Sequence, residues 1–156
     1  MQGDFPDLAM RLCAAVLVGG LIGLNRDLHR KPAGVRTHAL VSLGAALIVL
    51  VALPDIDNPH RYDALSRVVQ GVLTGVGFLG AGVILHVQNM RRISGLTTAA
   101  TIWVTALLGI ACGLGEWKPL GLAFVLGALV LGFGGGIERA FRRRWGKAAD
   151  EDPPPP

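Results

Sequence analysis

The sequence predicts an all-α fold, a polytopic membrane bundle of five transmembrane helices. Three observations carry the prediction. The 156-residue chain is 51% hydrophobic and 17% charged, whereas an ordinary soluble domain carries about 25% charge. Its apolar residues gather into five runs, 8–24, 37–53, 68–87, 96–114 and 120–137, each near the roughly 17–25 residues a helix needs to cross a bilayer. Its charges lie between those runs, which leaves little chain for a soluble domain. A soluble helical core of this size has no use for five such runs.

The first run follows an acidic segment (Asp4, Asp7) with Arg11 as its one basic residue. A secretory signal would have a basic start and a small-residue cleavage site, so this run reads as a retained helix. The second run follows a loop, residues 25–36, that holds Arg26, Arg30, Lys31 and Arg36. Pro32 and Gly34 turn that loop and place its cations near lipid headgroups. The third run and the first half of the fourth lie in one stretch, residues 67–104, which is rich in glycine and threonine. Leu or Val would supply mere greasiness; small residues let helix backbones approach, and threonine hydroxyls bond between helices. The fifth run leads into Arg139, Arg142, Arg143, Arg144 and Lys147. The last residues, DEDPPPP, can neither form a helix nor bury surface and are expected to be disordered.

Loop charge sets the expected topology. Eleven of the 15 Lys and Arg fall in the loop after the first run, the loop after the third (Arg91, Arg92) and the segment after the fifth. Positive charge stays on the cytoplasmic side, so the N-terminus is expected outside and the C-terminus inside. No internal repeat stands out, and five spans do not divide into two equal inverted halves.

The chemistry-bearing residues are few. Gly75, Gly77 and Gly80 match GxGxxG, but a dinucleotide site needs a strand before it and a helix after it; here the glycines sit inside an apolar run and imply close packing. Gly19 and Gly23, Gly71 and Gly75, Gly109 and Gly113, and Gly132 and Gly136 are each four apart. Each pair puts two small residues on one helix face, for packing or dimerisation. Thr97, Thr98, Thr101 and Thr105 form a stripe along the fourth span. With Ser42, Gln70 and Thr74 they could line a water-filled path, although routine helix contact is the favoured reading. Arg67, Gly82 and the other third-span glycines belong to the same helix-packing or path-lining set. Cys13 and Cys112 lie in apolar runs without a CxxC partner and read as packing residues.

What the runs lack also bears on function. They contain no Asp, Glu or Lys, whereas ion pumps keep ionisable groups within the membrane. Mg²⁺ prefers oxygen ligands, typically carboxylates. The carboxylates Asp4, Asp7, Asp55, Asp57, Asp63 and Glu116 instead gather outside the membrane, where their ordinary role is loop solvation and their sharper role weak cation sensing. No nucleophile–base pair, metal-ligand cluster or catalytic carboxylate pair is visible. An enzyme, a resident metal and a cofactor are therefore not expected. Nucleic acid is not an expected partner for a chain so embedded in lipid. Arg26, Asp27, Lys31, Arg36 and His38, around the basic loop, are the candidates for recognising a phosphate-bearing group or a protein partner.

Three blocks in order, residues 20–38 (GLIGLNRDLHRKPAGVRTH), 67–85 (RVVQGVLTGVGFLGAGVIL) and 95–104 (GLTTAATIWV), resemble the MgtC/SapB family of bacterial inner-membrane proteins. The likeness covers about residues 8–137. It departs at Asn25, where the family commonly has Glu, and before Arg67, where many members have an acidic-Pro sequence. Many members also carry a cytoplasmic ACT-like domain after the fifth span, which is not expected here. The resemblance implies a plasma-membrane protein tied to growth at low magnesium and, in pathogens, to survival inside host cells. It also implies a regulator of membrane energetics or of partner proteins, the F-type ATP synthase among them, in place of a magnesium pump. A homo-oligomer and an ion transporter or channel stay open as alternatives.

Overall fold

The computed structural model describes residues 4–53, 59–85 and 95–145, and the side chains of 4–53, 59–84 and 95–136. Among these residues all regular structure is helical: α1 (Phe5–Leu28), α2 (Val35–Ala52), α3 (Arg61–Leu85), α4 (Leu96–Leu114) and α5 (Trp117–Trp145). All five are long and apolar enough to span a membrane. Their outer surfaces carry the apolar side chains expected against lipid; Leu17, Leu40, Val51 and Phe133 are each well exposed. The chain divides into two compact units, residues 1–124 and 125–156. The first holds α1 to α4 and the start of α5, and the second holds the rest of α5.

α1 and α5 outrun their apolar runs at both ends, α2 and α3 begin before theirs, and α4 coincides with its run. α1 starts where Asp4 accepts from the Asp7 and Leu8 amides through its carbonyl, with Pro6 in the first turn. It continues past Leu24 through Arg26 to Leu28. The connection to α2 is tight: the Arg30 amide donates to the Asp27 carbonyl and the Lys31 amide to the Arg26 carbonyl, both at 3.0 Å. Arg30 and Ala33 sit at φ of 51° and 59°, a left-handed conformation that costs a non-glycine residue roughly 1–3 kcal/mol. α4 ends in a Schellman closure. Gly115, at φ 77°, donates to Cys112 O and Glu116 donates to Ala111 O.

In the first unit α2 packs against α1 and α4, and α4 also packs against α3. The apolar core lies between α2, α3 and α4 and consists of Ala45, Val49, Val76, Ile102, Ala106 and Ile110. Glycine decides how α1 and α4 reach α2. A Cβ on Gly19 would collide with the His38 carbonyl, and one on Gly23 would stand 2.7 Å from the Gly34 carbonyl. On α4, a Cβ on Gly109 would collide with the Ser42 carbonyl, and one on Gly113 would stand 2.7 Å from the Ala46 carbonyl. Two of the four glycine pairs therefore clamp α2 from both sides. The pairs on α3 and α5, Gly71 with Gly75 and Gly132 with Gly136, have nothing within 4 Å of the added Cβ.

Arg11 ties the far ends of α1 and α4. Its guanidinium donates to Gly113 O at 3.0 Å, placing a cation at a helix C-terminus, where the dipole favours it. Asp7 flanks it at 2.9 Å. Asp55, Asp57, His86, Arg91, Arg92, Lys147 and the acidic-proline tail lie outside the described residues.

Candidate functional site

The glycine clamp brings polar side chains inward. Ala15, Gly19, Gly23 and Arg26 recur at steps of four and three, so one face of α1 carries them all. That face is the one packed on α2. Arg26 thus enters the bundle with the glycines and is only 5% exposed. Its terminal nitrogen donates to Thr98 Oγ1 on α4 at 2.8 Å. This corrects the placement of Arg26 as a headgroup anchor in a loop: α1 extends through it, and the close helix contact buries it.

His38 and Ser42, one turn apart on α2, are both fully buried. His38 Nδ1 lies 3.0 Å from the Gly34 carbonyl. A carbonyl only accepts, so Nδ1 carries the proton of that bond, and in the neutral ring Nε2 is a bare acceptor. His38 Nε2, Ser42 Oγ and Arg26 Nε are buried without a hydrogen-bond partner among the described residues. His38 is therefore a helix-core residue as well.

The threonine stripe splits. Thr98, Thr101 and Thr105 are buried, whereas Thr97, one residue off the stripe, is exposed. Thr101 Oγ1 donates to Thr98 O at 2.7 Å and Thr105 Oγ1 to Thr101 O at 2.8 Å. Their protons are spent on the helix's own backbone, a common arrangement for threonine in apolar helices. Arg26, His38, Ser42, Thr98, Thr101 and Thr105 form a buried polar seam among α1, α2 and α4, and among the described residues no carboxylate belongs to it. Among the described residues no group of three or more His, Cys, Asp and Glu could hold a metal ion.

The remaining basic-loop candidates separate by role. Lys31 and Arg36 are exposed, as is Arg30. Asp27 Oδ2 accepts from the Val35 amide at 3.0 Å, so it caps α2 from the preceding helix. Asp27→Ala is expected to cost about 1 kcal/mol of stability, as lost caps do. Asp27→Asn should keep most of it, because the amide oxygen can still accept. Thermal unfolding in detergent would compare the two.

On α3, Arg67, Gln70, Gly71, Thr74, Gly75, Gly77 and Gly82 are exposed, while Gly80 is buried with its Cα face 3.3 Å, measured from an added Cβ, from Ala99 Cβ. The GxGxxG glycines therefore lie within a continuous helix. The structure brings Arg26, His38, Thr98 and Thr101 into one seam and leaves the α3 candidates apart from it. Ser42 and Thr105 complete the seam; the signal for them was their helical spacing from His38 and Thr101.

A family model described as the MgtC family matches residues 12–140. The chain is similar to Protein SrpB of Synechococcus elongatus, 47% identical over 92% of this chain and 82% of that protein. It is similar to Protein MgtC of Salmonella typhimurium, 42% identical over 73% of this chain and 46% of that protein. It is also similar to YhiD of Escherichia coli, provisionally named a magnesium transporter, at 42% identity over 72% of this chain and 53% of that protein. The chain thus spans about half the length of MgtC and YhiD. No solved structure matches it.

Proposed function

The chain belongs to the MgtC family, and from that premise we propose that it serves magnesium homeostasis in the bacterial plasma membrane by regulating a membrane partner, without pumping ions and without enzymatic activity. The name of YhiD ties one relative to magnesium. The observation that carries the regulatory reading is the state of the polar seam. Thr101 and Thr105 donate to backbone carbonyls, and Arg26 reaches across to Thr98. Hydroxyls so engaged, beside an arginine and with no carboxylate, offer a poor route for Mg²⁺, a hard cation that sheds water reluctantly.

In this reading the N-terminus faces outward, and Arg30, Lys31 and Arg36 form a cytoplasmic contact surface. The family resemblance suggests a complex such as the F-type ATP synthase as the partner. The alternative, a small-ion path, draws on the unpartnered His38 Nε2 and Ser42 Oγ. These polar atoms would lie along a path through the same three helices.

Neutralising Arg30, Lys31 and Arg36 together tests the contact surface. The three are exposed, so the triple glutamine variant should fold and insert normally. Growth of a deletion strain at low Mg²⁺ should then fall to the level of the empty vector. Undiminished growth with normal protein levels would remove this surface from the mechanism.

A further inference from the structure

α3 presents an unusual surface for a membrane helix. Asp63, Arg67, Gln70 and Thr74 recur at steps of four and three along one exposed face, opposite the core residue Val76. Gly71 and Gly75 flank them with nothing within 4 Å of an added Cβ. Thr74 Oγ1 is satisfied by the Gln70 carbonyl at 2.8 Å. The Gln70 amide has no hydrogen-bond partner among the described residues. Gln70 is the third residue of the apolar run 68–87, one turn beyond Arg67, where lipid tails begin and a protein partner satisfies an amide better than they do.

We propose that this face of α3, through Asp63, Arg67, Gln70, Gly71, Thr74 and Gly75, docks against the same face of a second copy of the chain. Self-complementarity argues for a copy over another occupant. Two copies inserted in the same sense are related by a twofold axis along the membrane normal, which sets like residues at the same depth. A carboxamide both donates and accepts, so Gln70 can bond reciprocally with its counterpart. Asp63 and Arg67 stand one turn apart with opposite charge, so each copy's Asp63 can meet the other's Arg67. Gly71 and Gly75 allow the backbones to approach, as small residues four apart do between membrane helices. A dimer would give the regulatory reading its assembled form. The inference rests on that reading only in supplying the partner class, and the two can fail separately.

Cysteine cross-linking in native membranes tests it, using the full chain with Cys13→Ser and Cys112→Ala as background. On oxidation, Thr74→Cys and Gln70→Cys should each give a disulfide-linked dimer. Leu17→Cys, exposed on α1, should give none. Two differently tagged chains of natural sequence should also co-purify, and Gln70→Leu should weaken that association on the order of tenfold. Absence of both the cross-link and co-purification, with the protein inserted at normal levels, would overturn the proposal. So would a cross-link formed instead to a different protein or within one chain to α5. Ion flux without a partner would sink the regulatory reading while leaving a cross-linked dimer intact.

Discussion

Replacing Thr98 with valine should destabilise the protein more than replacing Arg26 with methionine. Thr98 is the acceptor that Arg26 reaches at 2.8 Å, and Arg26 Nε is already unpartnered. Valine keeps the shape of threonine but leaves a guanidinium buried with no acceptor in its place. Stranding a buried charge costs about 3 kcal/mol. Methionine removes the charge and most of its desolvation cost, and the freed Thr98 hydroxyl can bond its own helix backbone, as Thr101 and Thr105 do. The expected loss there is about 1 kcal/mol. The double variant should match Arg26→Met, because the valine harms only when the charge is present. Unfolding in detergent, followed by tryptophan fluorescence, measures all three. A larger loss for Arg26→Met would mean that the guanidinium serves the fold through something other than Thr98.

Gly109→Ala should be the most damaging single methyl in the chain. Its Cβ would collide with the backbone carbonyl of Ser42, which cannot swing aside as a long side chain could. Gly19→Ala meets the His38 carbonyl in the same way from α1. α2 is held between those two helices, so relief at one contact pushes it into the other. Overpacking of this kind costs about 3 kcal/mol, enough to lower the yield of folded protein sharply. Gly71→Ala and Gly75→Ala have open space around the added carbon. Each should leave the unfolding midpoint of a single chain within the error of the measurement. Equal losses at Gly109 and Gly71 would contradict the clamp.

Much of this architecture is legible in the sequence because membrane helices announce themselves by length and apolarity. The five runs locate α1 to α5. Their ends are less legible, since a helix continues through polar residues wherever its backbone bonds and packing allow, as α1 does through Arg26 to Leu28. The glycine pairs reveal packing faces without naming their partners, because spacing along one helix carries no information about another. Only the three-dimensional arrangement separates Gly19, Gly23, Gly109 and Gly113, which grip α2, from Gly71 and Gly75, which are open. Arg26 illustrates the same limit. Read as a cation beside a basic loop, it belongs to the headgroups; read as seven residues beyond Gly19, it shares the face that packs. The spacing carries the second reading, and the packing of α1 on α2 realises it.

The buried seam and the exposed α3 face lie on different parts of the bundle. One hydrogen bond of the seam joins two helices, Arg26 on α1 donating to Thr98 on α4, while those of His38, Thr101 and Thr105 end on backbone carbonyls three or four residues earlier in the chain. On the proposed function, the α3 face and the exposed loop cations are the surfaces for contacts beyond the chain. On that same reading, the bundle acts through such contacts and is not itself a conduit. Reconstitution of the purified protein in liposomes tests it most directly, with a trapped Mg²⁺ dye and parallel reporters for K⁺ and H⁺. With the protein shown to be folded, the expected result is no flux above empty vesicles for any of the three. Flux that falls on Thr101→Val would contradict it and make the seam a path.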